Sequence, residues 1–139
     1  VEMKEAVSLA EDDASIKLLR DYNKNGICIS LDDFGTGYSS ISSLQRSPFK
    51  LLKIDRTLIK AISNNDSETA NYVDAIISIA HKLKLKVVAE GVETQDQNDF
   101  LISHQCDFLQ GYFFSPAIPV DEFEKQFLFN HDWSQPCQD

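Results

Sequence analysis

The sequence is poor in the residues that mark disulfide-rich, fibrous and membrane-spanning proteins. It has 3 cysteines, 5 glycines and 4 prolines among 139 residues. Cys28, Cys106 and Cys137 follow none of the spacings typical of zinc sites or redox pairs, so we interpret them as thiols of a reducing compartment. Apolar runs of the ~18 residues that a membrane helix needs are missing, and no signal peptide opens the chain. We therefore expect a cytoplasmic segment without membrane contact, although a parent protein could be anchored elsewhere.

Basic residues are scarce as well. The chain has 13 Lys and Arg against 22 Asp and Glu, a net charge of −9. This balance argues against a broad phosphate-binding surface for duplex nucleic acid, and an anionic ligand would need the help of a cation. Hydrophobic residues make up 42% and charged residues 25%, which is typical of a single globular domain.

Four short apolar runs, rich in β-branched and aromatic residues, predict buried strands at 27–34, 50–55, 85–91 and 107–114. The opening VEM indicates the tail of another strand. Helical patterns lie between the runs: one apolar stripe includes Tyr72, Ile76 and Ile79, and Thr94 with Gln97 predicts a capping box. This alternation predicts α/β architecture with a parallel sheet. We expect one domain over 1–129, closed by a helix over Val120–Phe129, and a loose tail over 130–139.

Polar side chains recur where the predicted strands end. In parallel α/β folds the carboxyl ends of the strands meet at one edge, where ligands bind. Five separate segments are therefore expected to send polar groups to one place. The residues are Glu2 at the end of the first strand, Asp32 and Asp33, Lys53 and Asp55, Glu90, and Gln110.

Carboxylates that lie this close repel one another unless a positive charge sits between them. Oxygen ligands without His or Cys favour Mg²⁺ or Mn²⁺ over zinc. Asp32 could bridge two such ions while Asp33 and Glu2 hold one each, an arrangement that suits attack on a phosphodiester. Lys53 would then supply a positive charge, and Glu90 would take a proton from the attacking water.

Each of these residues also has an ordinary structural explanation. Adjacent aspartates are common in solvated turns and helix caps, Glu90 alone would be a surface residue, and Lys53 with Asp55 could form a structural ion pair. An enzyme that abstracts a proton from a carboxylate substrate, using Mg²⁺ and a strand-end lysine, is a further alternative. The recurrence at every strand end is what favours a site.

Four segments closely resemble the EAL domain family, bacterial phosphodiesterases that open cyclic di-GMP to linear pGpG. They are LDDFGTGYSS (31–40), LKIDRTLI (52–59), VVAEGVET (87–94) and QGYFFSPAIP (110–119). The resemblance implies a TIM-like (β/α) barrel that uses two Mg²⁺ or Mn²⁺ ions, binds cyclic di-GMP and forms homodimers. A barrel of this kind has eight strands, so the chain corresponds to about the C-terminal five.

The resemblance also assigns roles to individual residues. Lys4 departs from the small hydroxyl residue that the family usually has there, next to the residue that would support the DDFGTG loop. The tripeptide that names the family and the strand with its ligand Asn are missing, so little activity is expected of this segment alone. A degenerate sensor or protein-interaction module without catalysis is the alternative. The assigned residues are Glu2, Asp32 and Asp33 as metal ligands; Lys53, Glu90 and Gln110 as catalytic residues; Glu5, Gly35 and Gly37 as loop support; and Asp55, Glu93 and Pro116 as substrate contacts.

Overall fold

The computed structural model describes residues 1–4, 13–35, 41–46, 48–62 and 67–128. The predictions made for Glu5, for Gly37 and for the tail over 130–139 fall outside these residues.

Successive strands of the described chain are separated by one or two helices, in keeping with the predicted alternation. The last helix continues directly into a π-helical segment, Glu124–Leu128. The strands are β1 (Glu2–Lys4), β2 (Ser30–Phe34), β3 (Leu51–Ile54), β4 (Lys86–Glu90) and β5 (Phe108–Gln110), and the helices are α1 (Asp13–Lys24), α2 (Ile41–Arg46), α3 (Arg56–Ile62), α4 (Ser67–Lys82), α5 (Gln95–Ser103) and α6 (Val120–Phe123).

The five strands form one parallel sheet in chain order, β1-β2-β3-β4-β5. This confirms the predicted α/β class. Within the described ranges, β1 and β5 each pair with a neighbour on one side, so the sheet is open at both edges. The described residues therefore form an open sheet and not a closed barrel.

The two faces of the sheet differ in chemistry because successive residues of a strand point to opposite sides. In β3, Leu52 and Ile54 are fully buried against the helices, whereas Lys53 points to the other face, called here the inner face. Helices α3 and α4 pack on each other and on β4 at the apolar face. The buried core includes Ile29, Leu31, Leu52, Ile54, Ile59, Val73, Ile76, Ile77, Ala80, Val87, Ala89, Val92 and Leu101.

Several predicted boundaries were too long. Strand β2 begins at Ser30 rather than at residue 27, and Ile27 is exposed. Strand β5 ends at Gln110 because the chain turns at Gly111, where a Cβ would lie 2.1 Å from the carbonyl oxygen of Val92. The closing helix is α-helical over four residues before it widens into the π-helical segment.

The prediction from a short local motif was more accurate than the prediction from hydrophobic periodicity. The capping box of α5 is confirmed, since the Thr94 side chain accepts from Gln97 N and the Gln97 side chain accepts from Thr94 N. The stripe of α4 was wrong in part, because Tyr72 is 48% exposed whereas Val73 and Ile77 are buried.

Among the described residues, none of the helices is both long enough and apolar enough to cross a bilayer.

Candidate metal and phosphate site

A bulge in β2 turns two adjacent aspartates toward one site. Leu31 pairs with Leu52 and Phe34 pairs with Ile54, so Asp32 and Asp33 together lie opposite one residue of β3, Lys53. Asp33 also has a φ of 57°, in the left-handed region that non-glycine residues seldom adopt. Neighbours in a regular strand would point to opposite faces. The bulge thus allows both carboxyl groups to serve the inner face, a function for which bulges are well suited.

Lys53 is the centre of the site. Its Nζ lies 2.6 Å from Glu90 Oε1, 2.7 Å from Glu2 Oε1 and 3.1 Å from Asp32 Oδ1, and its side chain is 11% exposed. Burial alone would lower the pKa of Lys53, but contacts with Glu2, Glu90 and Asp32 outweigh burial and hold the pKa above its usual range. The hydrogen bond from Lys53 lowers the pKa of Glu2 in turn. Lys53 therefore carries a positive charge at neutral pH.

Glu2 reaches this point from an unexpected position. The sequence places it at the end of its strand, but it begins β1, whose last residue is Lys4. Glu2 pairs in register with Ser30, two residues before Asp32. On the inner face it therefore lies closer than Asp32 to the amino ends of the strands. The length of the Lys53 side chain closes the gap.

One carboxylate oxygen in the site lacks a hydrogen-bond partner. Asp32 Oδ1 is buried, and its one close polar neighbour among the described residues is the Lys53 ammonium, whose Nζ forms an ion pair with it at 3.1 Å. Ligand oxygens of Asp32, Asp33 and Glu90 all lie within 4.8 Å of one another. Oxygens on a common Mg²⁺ ion, bound at about 2.1 Å, are at most about 4.2 Å apart. The three residues therefore fit a hard divalent cation after small movements of their side chains.

Lys4 forms the outer part of the same cluster. Its Nζ lies 2.9 Å from Asp33 Oδ2, and both side chains are partly or largely exposed. The hydrogen bond to Asp33 raises the pKa of Lys4 above its usual range. Four carboxyl groups thus meet two lysine side chains, and this surplus of carboxyl groups favours binding of a further cation.

Other predicted site residues lie nearby with different contacts. Gln110 pairs in register with Glu90, which places it beside the cluster, and its side chain is exposed. Asp55 follows β3 and accepts hydrogen bonds from the backbone and hydroxyl of Thr57, so it caps α3. This role replaces the alternative of an ion pair with Lys53. Glu93 is exposed, and its backbone N–H donates to Gln97 at the start of α5.

A cavity of about 450 Å³ lies beyond the end of β5. Pro116 is exposed and lines it together with Gln110, Tyr112 and Phe123. The cavity therefore extends from the carboxyl end of the sheet, next to the cluster, toward the π-helical segment.

Gly35 shapes the loop that follows the two aspartates. Its φ is +100°, and a Cβ there would lie 2.5 Å from Leu58 Cδ1 on α3. A side chain at this position would strain the backbone and force the end of the Leu58 side chain to move. Gly35 therefore brings the start of the loop against α3.

Sequence reasoning missed a second polar cluster, which lies at the amino ends of the strands, opposite the candidate site. Asp107 Oδ2 lies 2.8 Å from His81 Nε2 and accepts from Val87 N, and Lys86 Nζ lies 2.6 Å from Asp107 Oδ1. Burial acts to raise the pKa of Asp107, but these hydrogen bonds outweigh burial and lower the pKa. The cluster joins α4 to the starts of β4 and β5, where structural roles are typical. The sequence signal that could have indicated this cluster is an aspartate directly before a short apolar run.

Comparison with known proteins agrees with this geometry. The family model described as "EAL domain" matches residues 1–117. Cyclic di-GMP phosphodiesterase NbdA of Pseudomonas aeruginosa is 44% identical over 135 residues, 94% of this chain and 17% of NbdA.

Solved structures show the same likeness. A structure titled PaMucR phosphodiesterase, c-di-GMP complex, is 42% identical with a TM-score of 0.81, and the match covers 88% of this chain and 49% of that one. A manganese and cy-diGMP complex of Klebsiella pneumoniae BlrP1 is 31% identical with a TM-score of 0.74, over 83% of this chain and 29% of that one. The chain thus spans about half of the MucR structure and under a fifth of NbdA. By sequence, fold and motif order, this chain belongs to the EAL domain family.

Proposed function

We propose that the complete domain containing this chain hydrolyses cyclic di-GMP to linear pGpG with the help of two divalent cations, Mg²⁺ or Mn²⁺. The observation that carries the proposal is the meeting of Asp32, Asp33 and Glu90 around Lys53, with one oxygen of Asp32 buried and without a hydrogen-bond partner. Relatives named as cyclic di-GMP phosphodiesterases support the choice of substrate.

Asp32 and Asp33 of that cluster, together with Glu2, would hold the cations, and Glu90 would lie beside them. Asp32 is the most enclosed of the three, with a side chain 14% exposed, so its charge would gain the most from a nearby cation. When bound, the cations neutralise phosphate charge and make water a better nucleophile at neutral pH. Glu2, at the open edge of the sheet, has the freedom to turn from Lys53 toward a cation.

Lys53, Glu90 and Gln110 would act on the substrate. Lys53 keeps its charge at neutral pH and would bind a phosphate oxygen as negative charge develops there. Glu90 would accept a proton from the water whose oxygen attacks phosphorus, while the P–O bond to the departing 3′ oxygen breaks. Gln110, beside Glu90 in register, would orient the water or the phosphate through its amide.

We assign substrate contacts to Asp55, Glu93 and Pro116, which lie at or near the carboxyl ends of β3, β4 and β5. Asp55 would do so while capping α3. We also infer that residues 1–139 alone have little or no activity, because the open edges of β1 and β5 leave backbone groups unpaired. Homodimer formation by the complete domain is a further proposal, which light scattering of the purified protein would test.

The test compares the full-length protein with its Asp32→Asn and Asp21→Asn variants while Mg²⁺ is titrated. Asp21 is a carboxylate outside the site that pairs with Lys24 on α1, so it serves as a matched control. Wild type and Asp21→Asn should produce pGpG, whereas Asp32→Asn should lose at least ~100-fold in rate. Equal rates for wild type and Asp32→Asn would refute the metal role, and cyclic di-GMP binding without turnover in wild type would establish a sensor instead.

A further inference from the structure

The Asp33 carboxylate lies within reach of two sources of positive charge, a bound cation and the Lys4 ammonium. It is one of the three carboxylates whose oxygens lie close enough together for a common cation. Its Oδ2 also lies 2.9 Å from the Nζ of Lys4, a residue of the edge strand β1. Lys4 pairs in register with Asp32, so the β2 bulge brings the carboxylate of the next residue within reach of Lys4.

The two lysines of the cluster differ in how easily they can move. Lys53 contacts three carboxylates from three strands and is largely buried, so its departure would leave buried charges without a partner. The side chain of Lys4 is 67% exposed and can turn into water at little cost. Lys4 is therefore the displaceable charge.

A cation on Asp33 would repel the Lys4 ammonium if the ion pair remained. A metal–oxygen bond of about 2.1 Å, added to the width of the carboxylate, places such a cation at most ~7 Å from Nζ. At this separation, repulsion between charges of +1 and +2 weakens binding by about three- to tenfold, depending on salt.

We propose that Lys4 is a positioning residue that competes with a divalent cation for Asp33 and thereby raises the cation concentration at which the site fills. The proposal rests on the proposed function, because it requires Asp33 to be a metal ligand. The role of Lys4 is a property of this chain's own sequence. At low cation concentration Asp33 pairs with Lys4, and at high cation concentration a cation binds Asp33 and the ion pair breaks.

The first experiment measures Mn²⁺ affinity of the full-length protein without substrate, from the electron paramagnetic resonance signal of free Mn²⁺. Lys4→Met should lower a dissociation constant by about three- to tenfold, and the difference should shrink in 0.5 M salt. Lys4→Arg keeps the charge and should retain wild-type affinity. Lys24→Met, which removes an exposed lysine paired with Asp21, is the control and should change nothing. Unchanged affinity in Lys4→Met would overturn the proposal.

A double-mutant cycle locates the effect. In an Asp33→Asn background, Lys4→Met should no longer tighten Mn²⁺ binding, since the shared carboxylate is gone. Equal tightening in both backgrounds would overturn direct competition for Asp33.

Asp32→Asn separates failure of this proposal from failure of the proposed function. Mn²⁺ binding that Asp32→Asn leaves intact would overturn the metal site and the role of Lys4 with it. Binding that Asp32→Asn abolishes and Lys4→Met does not change would overturn the role of Lys4 alone.

Discussion

Replacing Lys53 by Met removes the charge that holds the carboxylates of the inner face together. Methionine keeps most of the length and apolar volume of the lysine side chain, so the loss is mainly electrostatic. The substitution would leave Glu2, Asp32 and Glu90 close together without their common partner.

The expected loss of stability follows from burial of the cluster. Removing one partner of a buried ion pair costs ~3–5 kcal/mol. Glu2 is 60% exposed and can turn into solvent, so only the enclosed Asp32 and Glu90 suffer the full loss. We expect Lys53→Met to lower the free energy of unfolding by about 2–4 kcal/mol without metal, which corresponds to a fall of roughly 4–16 °C in Tm for a domain of this class.

Thermal denaturation of the full-length protein, in EDTA and in millimolar Mn²⁺, is the assay. Mn²⁺ should raise the Tm of Lys53→Met by more than it raises that of the wild type, because the cation replaces the missing charge. Lys24→Met is the control, since its ion pair with Asp21 is exposed and worth less than about 1 kcal/mol.

Two results would refute this reasoning. If Lys53→Met and the wild type have the same Tm in EDTA, the carboxylates do not depend on Lys53 for their arrangement. If Mn²⁺ stabilises both proteins equally, no cation takes the place of the lysine.

Three further predictions concern the rest of the fold. The pKa of Asp107 is lowered, so its contribution to stability is complete above its unfolded value of about 3.9 and is lost as pH falls through the folded pKa; urea unfolding between pH 7 and 3 should therefore show a flatter profile in Asp107→Asn. Gly111→Ala should destabilise the protein by more than about 2 kcal/mol in the same assay, because the new Cβ meets the backbone of Val92. Thr94→Ala should cost about 1 kcal/mol and increase hydrogen exchange at the start of α5.

Each of these predictions has a result that contradicts it. Equal pH profiles for wild type and Asp107→Asn would show that the carboxylate is not held in its charged form. A Gly111→Ala protein as stable as the wild type would mean that the turn after β5 can open. Thr94→Ser should retain the cap, so a loss in Thr94→Ser equal to that in Thr94→Ala would assign the effect to packing instead.

Sequence patterns were most reliable where a structure depends on neighbours along the chain. The capping box of Thr94 and Gln97 needs residues three apart and was found as predicted. The apolar runs predicted strands because β-branched and aromatic residues favour an extended, half-buried backbone, although the run at 107–114 overran the turn at Gly111. The meeting of polar residues at the strand ends was predictable from the rule that parallel strands share a carboxyl edge.

The tertiary structure alone decided which groups of the site touch. The LDDF letters do not reveal that Asp32 and Asp33 lie opposite a single residue, because a bulge depends on the partner strand. Lys53 reaches Glu2, which is 51 residues away, through the register of three strands and the length of its own side chain. The capping of α3 by Asp55 depends likewise on where the helices pack. The same holds for the contacts through which Asp107 joins α4 to the starts of β4 and β5.

The amino-acid sequence by itself thus determined the class of fold, the position of its strands and the chemistry available at their ends. Those properties arise from local propensity, hydrophobic periodicity and residue type. Which lysine holds which carboxylate was decided by strand register and packing, because distances between residues far apart in sequence exist only once the sheet has formed.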